Sequence, residues 1–433
     1  MLSLYIHIPF CKTKCPYCSF QVCPSDQMKS ESFHNEINNY TQSLISEIHH
    51  YSKILKDKEI KSIYFGGGTP QLLGLRNIEK IIDTIIENFN IENLGEFSIE
   101  MNPYPQNEVL TFVKTLSSKY VFFPRIRFSF GIQSFDNSVL SMAGRDIMFP
   151  GLVELFRELQ KIKKGNNVFN LDFIAFGYFH KSKKGNLQLR NQSALEFFQN
   201  LATTQFIDSY SIYTLELFPG SLRYYQKDDL EKNKNISQKN FQSPTPAHFS
   251  LLDSSDDFVY EEFAILKDIV LDSGYKRYEL SNFSLGGKSS IHNRVYREMG
   301  DYVGLGTSAS SFIKNPNLAL KKYLGISKNS LALRWTNTLK LSNYNKGDFW
   351  DKDSIQNLTQ KDLLIEEFFL TLRTDVGIND LQKFSSILVK NIDQKLDSYI
   401  QQGFISKIGN GIKLTDTGMD IYNDIITELL EEI

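Results

Sequence analysis

Three thiols at CxxxCxxC spacing, Cys11, Cys15 and Cys18, sit in the run HIPFCKTKCPYCSF. The fourth cysteine of this 433-residue chain, Cys23, falls in the same 13-residue window. Chance would cluster all four so tightly in about one sequence in ten thousand, so the spacing asks for a chemical reason. It is too tight for a tetrahedral zinc site drawn from two separated pairs, and no CxxH or HxxxH partner follows. A disulfide pair and a zinc knuckle are the alternatives. Three thiolates on a short loop can instead hold three irons of a cubane cluster and leave the fourth iron without a protein ligand. An open metal corner is a place for chemistry, as the open position is at a catalytic zinc. Three ligands satisfy that pattern, so Cys23 reads as a spare thiol, with a fourth ligand as the alternative.

The elements around these residues set out a regular scaffold. Residues 2–8 alternate and read as a strand that delivers the cysteine loop at its end. A helical pattern covers 34–55, with Ile37, Tyr40, Leu44 and Ile48 on one face. Strand 60–65 runs straight into Gly66-Gly67-Gly68-Thr69-Pro70, where three glycines permit close backbone approach, either to a ligand or within a tight βα turn. Helix 76–89, strand 96–100, helix 106–117, strand 125–130, a turn at 131–135, helices 136–143 and 151–163, strand 168–174, helix 193–202 and strand 207–214 follow in order. Strands separated by helices of this length read as repeated βα units on a parallel sheet. Six units suit an α/β architecture, an open (β/α)6 three-quarter barrel, in which ligands sit at the carboxyl ends of the strands. The cysteine loop, the glycine run, Glu100, Gln133, Asp172 and Thr214 all fall on that rim. A lone carboxylate at a strand end is more often a solvated or helix-capping group.

The polar stretches 180–192 and 225–247 read as surface loops or insertions. A helix covers 256–273. Helices at 360–372 and 389–402, a hairpin at 404–414 turning at Gly409-Asn410-Gly411, and a final helix from 416 to 433 give a winged-helix-like end. The domain expectation is a barrel core over 1–224, a polar insertion at 225–250, a segment at 251–350 that completes the barrel and substrate side, and a C-terminal domain over 351–433. The last helix carries six acidic residues and no basic one, which disfavours duplex binding.

Bulk composition agrees with an ordinary globular protein, with 41% hydrophobic and 23% charged residues. A net charge of -2 gives no reason to expect nucleic acid or an anionic membrane as partner. Thirty-three Phe and 21 Tyr would suit a site for a large flat ligand, or plain core. No apolar run approaches the length of a membrane span, and no cleavable signal precedes the cysteines. Thiolates that hold a cluster need a reducing compartment, so the expected location is the cytoplasm.

The run YIHIPFCKTKCPYCSF, together with GGGTP, resembles the radical S-adenosylmethionine (SAM) enzymes, and more narrowly the oxygen-independent coproporphyrinogen III oxidase family with its haem chaperone branch. Similarity returns in SGYKRYELSNFS, in IHNRVYREMGDYVGLGTSASSF and in RWTN. The resemblance implies a 4Fe-4S cluster on Cys11, Cys15 and Cys18, with SAM bound at its open iron. It further implies that Tyr5 and Tyr17 flank the adenosyl group and cluster, and that Gly67, Gly68 and Thr69 meet the methionine end. Glu100, Gln133 and Asp172 would hydrogen-bond ribose and amino groups, Arg145 would pair with the carboxylate, and Thr214 completes the rim. In the chaperone branch the histidine at the position of His292 is the candidate haem ligand; a hydrogen-bonded loop anchor is the other role for it.

Two features favour the chaperone branch. Phe20 stands where the oxidases have a further cysteine, and the first strand begins at residue 2 rather than after an extension. Three departures set the chain apart: HNRVYR has Arg297 where the family has Trp, GRDI has Ile147 where it has His, and DFIAFGYFH replaces a DL..GLPGQT pattern. Arg297 removes a stacking surface and supplies a cation able to meet a propionate. The resemblance thus leaves three readings: a haem-binding and transfer protein, an enzyme decarboxylating porphyrinogen propionates, and a methyltransferase or haem-degrading relative. The implied partners are haem or a porphyrinogen, an electron donor and a haem-acceptor protein.

Overall fold

The computed structural model describes residues 1–25, 30–177, 179–181, 187–189, 192–216, 256–326 and 330–430. The expected stretch 225–247 lies outside the described residues.

Strict alternation in LSLYIHI decides the first strand, β1 (Leu2–Ile8). Leu2, Leu4, Ile6 and Ile8 enter the hydrophobic core beneath the helices, while Ser3, Tyr5 and His7 share the opposite face. The same period places Ser62 and Tyr64 on the inner face of β2 (Ile60–Gly67), and Glu96, Ser98 and Glu100 on that of β3 (Glu96–Met101). β4 (Ile126–Gln133), β5 (Asn167–Ala175) and β6 (Ser209–Thr214) complete six parallel strands in sequence order. Helices between them cover the outer face. In α1 (Glu31–Ile54) the residues Phe33, Ile37, Tyr40, Leu44, Ile48 and Tyr51 are buried at three- and four-residue spacing. In α2 (Leu75–Asn88) Ile78, Ile81, Ile82 and Ile85 do the same. The chain therefore has the three-quarter barrel arrangement that the repeated βα units predict.

The structure differs from the sequence reading in three places. First, residues 131–133 are not a turn but the end of β4. A register shift between Gly131 and Gln133, with Gln133 at φ 69°, bends the strand there. Second, short strands later in the chain extend the sheet on both edges. β7 (Lys276–Glu279) and β8 (Asn282–Ser284) form a hairpin whose β8 lies antiparallel to β6. β9 (Asp301–Leu305) adds in parallel to β1, followed by the antiparallel β10 (Ser310–Lys314), β11 (Ala332–Thr336) and β12 (Gln356–Leu358). Both edges of the parallel sheet are thereby paired, which removes exposed ladder groups. Part of the polar stretch 180–192 also pairs, as a ladder between Phe179–Lys181 and Leu187–Leu189.

Third, the final helix is broken. It runs over Asp416–Asp420 and resumes as Tyr422–Leu429, with Ile421 between them at φ -112° and ψ 27°. Gly418 presses on the Phe404 carbonyl and the Tyr422 hydroxyl donates to the Phe369 carbonyl at 2.6 Å, so two separate dockings fix the two pieces. Together with α3 (Gln360–Leu372), which opens on a Thr359/Asp362 capping box, and the hairpin Ile405–Ile408 with Gly411–Leu414, they enclose a second, smaller core.

Candidate functional site

β1 hands the chain to the cysteine loop, where Phe10–Cys11 pairs in parallel with Cys23–Pro24. All four cysteines are free thiols, each half-buried. Burial pushes the Cys11 thiol up to about 11, and the neighbouring Cys15 and Cys18 add to the rise while Arg145 opposes it. The three thiols thus lie within electrostatic reach of one another. Among the described residues no three His, Cys, Asp or Glu side chains converge on a point as a single metal ion requires. Three ligands of a cubane take three different irons and need no such point. The donor set of three half-buried thiols fits a 4Fe-4S cluster.

The glycine run is fitted to this loop. Backbone bonds join Gly68 N to Ile8 O at 2.7 Å and Thr69 N to Phe10 O at 2.8 Å. A Cβ on Gly68 would stand 2.6 Å from the Phe10 carbonyl oxygen and 2.9 Å from the Cys11 sulfur. Gly67, at φ 107°, faces the His7 ring in the same way. Thr69 Oγ1 reaches the Cys11 sulfur at 3.8 Å, and Arg145 Nη1 lies 3.9 Å from the Cys15 sulfur. The Arg145 guanidinium is held there by the Gly131 carbonyl at 2.5 Å and Asn102 Oδ1 at 3.2 Å. Tyr17 packs edge-on against Phe176 at 5.9 Å, which seats the loop on the helix Asn137–Met142.

Inside the barrel the register sets Glu100 beside Ser129 and Gly131 beside Asp172. Glu100 accepts from the Tyr64 hydroxyl at 2.8 Å and from Gly67 N at 3.1 Å. Burial raises its carboxyl to about 7, the Asp172 charge adds to this, and the Tyr64 bond opposes it. Asp172 accepts from Ser129 at 2.8 Å and Asn170 at 2.7 Å, and burial raises its pKa as well. Glu100 can therefore take or give a proton near neutrality, and both carboxylates can be neutralised by a cationic ligand group. Gln133 and Thr214 reach the same rim, and neither side chain hydrogen-bonds to a described residue. Tyr5 stacks on Tyr64 at 6.1 Å and reaches His7 Nδ1 at 3.1 Å.

His292 lies at the other end of the lumen. Ser290, Ile291 and His292 start the helix α4 (Ile291–Arg297), and Glu96 Oε1 accepts from the Ser290 hydroxyl and from both backbone N–H groups at 3.0 to 3.3 Å. The His292 ring is 1% exposed and stacked on Tyr64 at 5.0 Å. Its Nδ1 meets Ser62 at 2.8 Å and its Nε2 meets the Tyr296 hydroxyl at 2.8 Å. Burial alone lowers its pKa to about 3. Both nitrogens are thus engaged within the barrel floor.

A cavity of about 730 Å³ opens between β1, the end of the cysteine loop and the C-terminal helix α3. Its aromatic walls include Tyr5, Phe20, Tyr296, Tyr302 and Phe369. Phe20, at the position that separates this chain from the oxidases, is 56% exposed along it. The imidazole that borders it is His7, whose Nε2 has only the longer contacts to Gln21 O at 3.2 Å and Ser308 at 3.4 Å. Burial lowers the His7 pKa to about 4, so the ring is a neutral base. Sequence reasoning missed His7, Tyr64, Arg334 and Glu366. The alternation of polar and apolar residues in LSLYIHI and IKSIYFGG could have found the first two.

Comparison with known proteins agrees with this geometry. Residues 5–178 match the radical SAM superfamily model and 358–421 match the HemN C-terminal domain. The heme chaperone HemW of Buchnera aphidicola (subspecies Schizaphis graminum) is 32% identical over 320 residues, covering 73% of this chain and 71% of that protein. This chain belongs to the radical SAM superfamily, in the haem chaperone branch of the coproporphyrinogen III oxidase-like family. Full-length similarity to the family extends to the heme chaperone HemW of Lactococcus lactis, 26% identical over 99% of this chain and 97% of that one. The solved coproporphyrinogen III oxidase of Escherichia coli shares the fold, with a TM-score of 0.66 over 98% of this chain and 89% of that chain at 20% identity. Radical SAM membership implies a 4Fe-4S cluster and SAM as cofactors. No helix among the described residues is long and apolar enough to cross a membrane.

Proposed function

We propose that this chain binds haem in the cavity beside the cysteine loop and passes it to an acceptor protein in the cytoplasm. The observation that carries the reading is the cavity itself. Its size is within the range of roughly 300–1,000 Å³ for cofactor sites, its walls are aromatic, and cations stand at its edge. The name shared by the full-length relatives, heme chaperone, supports the same ligand.

Cys11, Cys15 and Cys18 would hold the cluster, and Tyr5, Tyr17, Gly67, Gly68, Thr69, Glu100, Gln133, Arg145, Asp172 and Thr214 would form the SAM region above it. The cluster, when bound, supplies single electrons received from a donor. Glu100 and Asp172 offer acceptors to hydroxyl and ammonium groups, and Arg145 fixes charge next to the thiolates. His292 is an anchor that closes the barrel floor. Its bonds to Ser62 and Tyr296 hold α4, and with it the Tyr296 wall of the cavity.

The test is anaerobic reconstitution followed by haemin titration and, in parallel, incubation with SAM, reductant and coproporphyrinogen III. Stoichiometric haem binding without a decarboxylated product is the expected result. Protoporphyrinogen formation would instead make this chain an oxidase.

A further inference from the structure

We propose that Arg297 and Arg334 are the two carboxylate receivers of the cavity, and that Glu366 stands in for a ligand carboxylate until one arrives. This rests on the haem-cavity reading above and narrows it to a flat apolar ligand with two carboxylates.

Arg334, on β11, gives Nη1 and Nη2 to the two oxygens of Glu366 at 2.6 and 2.5 Å. That side-on fork is the geometry a guanidinium offers any free carboxylate. The side chains are 29% and 24% exposed and both border the cavity, so a ligand carboxylate can reach the pair. The guanidinium is also held over the Phe312 ring at 5.6 Å, which keeps it in place if Glu366 leaves.

Arg297 presents a different balance. Its Nη2 pairs with Glu279 at 3.0 Å, but Glu279 also pairs with Arg373 at 2.8 Å. Among the described residues one carboxylate thus serves two guanidinium groups, and one positive charge is left over beside the cavity. The Arg297 Nε is buried without a hydrogen-bond partner. An unmet buried donor next to excess positive charge calls for an anion.

A dicarboxylate meets both requirements. One carboxylate neutralises the surplus at Arg297, and the other takes over Arg334 from Glu366. Glu366 lies on α3, so the exchange loosens one tie between this helix and the barrel sheet. Arg373–Glu279 and Arg294–Asp375 still hold the domain. Ligand entry thereby alters the C-terminal surface that a haem acceptor would meet. A porphyrin with four carboxylates would bring two with no cation assigned to them.

The full-length, cluster-replete protein is titrated with haemin, iron-free protoporphyrin IX and the dimethyl ester of each. The ester binds about tenfold or more weakly than haemin, because it cannot form charge-assisted bonds. Glu366→Gln binds haemin several-fold more tightly and leaves ester affinity unchanged. Equal affinity for haemin and its ester would overturn the clamp while the haem reading stands, and this arm needs no variant. Glu366→Gln affinity that is unchanged or weaker overturns the stand-in role. Loss of haemin binding with ester-sensitive binding of protoporphyrin would retain the clamp and overturn the haem reading.

Discussion

The barrel rim and the cavity differ in how they are assembled. At the rim, the chemistry is carried by contiguous runs, the cysteine loop and GGGTP, packed so tightly that Gly68 cannot bear a side chain. Around the cavity, single residues from β1, α4, β10, β11 and α3 meet only in the folded chain. The rim's carboxylates are buried with raised pKa values and hydroxyl partners. The cavity's charges meet across segments, Arg334 one-to-one with Glu366 and Arg297 sharing Glu279 with Arg373. A cofactor site of fixed chemistry rests on local sequence, whereas ligand choice rests on long-range placement and can change one residue at a time, as Arg297 does.

Breaking the rim has the largest effect. Cys15→Ala leaves two thiolates, and iron and sulfide content fall to background while the circular dichroism spectrum is kept. Unchanged iron and sulfide would defeat the cluster assignment. Gly68→Ala forces a Cβ against Phe10 O and the Cys11 sulfur, which destabilises by roughly 1–3 kcal/mol and lowers cluster loading. Equal loading and thermal midpoint would show the loop to be more yielding than its packing implies.

His292→Ala tests the barrel floor against the cavity. Loss of a stacked, doubly hydrogen-bonded ring costs about 2–4 kcal/mol in chemical denaturation. The absorption spectrum of the haem complex stays the same, since the ring does not face the ligand. A changed axial-ligand spectrum would return His292 to the iron.

Two buried carboxyls give a pH signature. Burial raises Glu100 to about 7 and Glu47 to about 8 from the ordinary 4.5. For groups raised in the folded state, the folded form holds protons more tightly, so stability is full below the unfolded value and declines as pH rises through the folded one. Below pH 6.5 the buried neutral rings of His7 and His292, lowered to about 4 and about 3, contribute the opposite slope, so the apo protein should lose thermal stability from about pH 6.5 to 8, and Glu47→Gln should flatten part of that loss. A slope identical to wild type would contradict it. The smallest effect is expected at Lys12–Asp146, an ion pair with side chains 56% and 48% exposed. Lys12→Ala should change stability by less than about 1 kcal/mol.

The six parallel strands were readable because each is a run of alternating or apolar residues separated by an amphipathic helix. The rim residues were readable because they sit at strand ends or in named runs. The edge strands β7 to β12 were not, being three to five residues long with polar flanks that owe their conformation to pairing with β6 and β1. Nor was the role of His292: its sequence neighbours point to a ligand, and only packing reveals Ser62 and Tyr296 on its two nitrogens. Arg334 and Glu366 look like ordinary surface charges until the fold brings them together across 32 residues.

The most direct measurement is haemin titration of a cluster-replete variant whose cavity is filled. Ser310 borders the cavity on β10 and is no part of the cysteine loop or the glycine run, so Ser310→Trp should retain wild-type iron and sulfide. The account predicts that haemin binding is then lost. Wild-type haemin affinity in that variant would contradict it and place the ligand elsewhere on the chain.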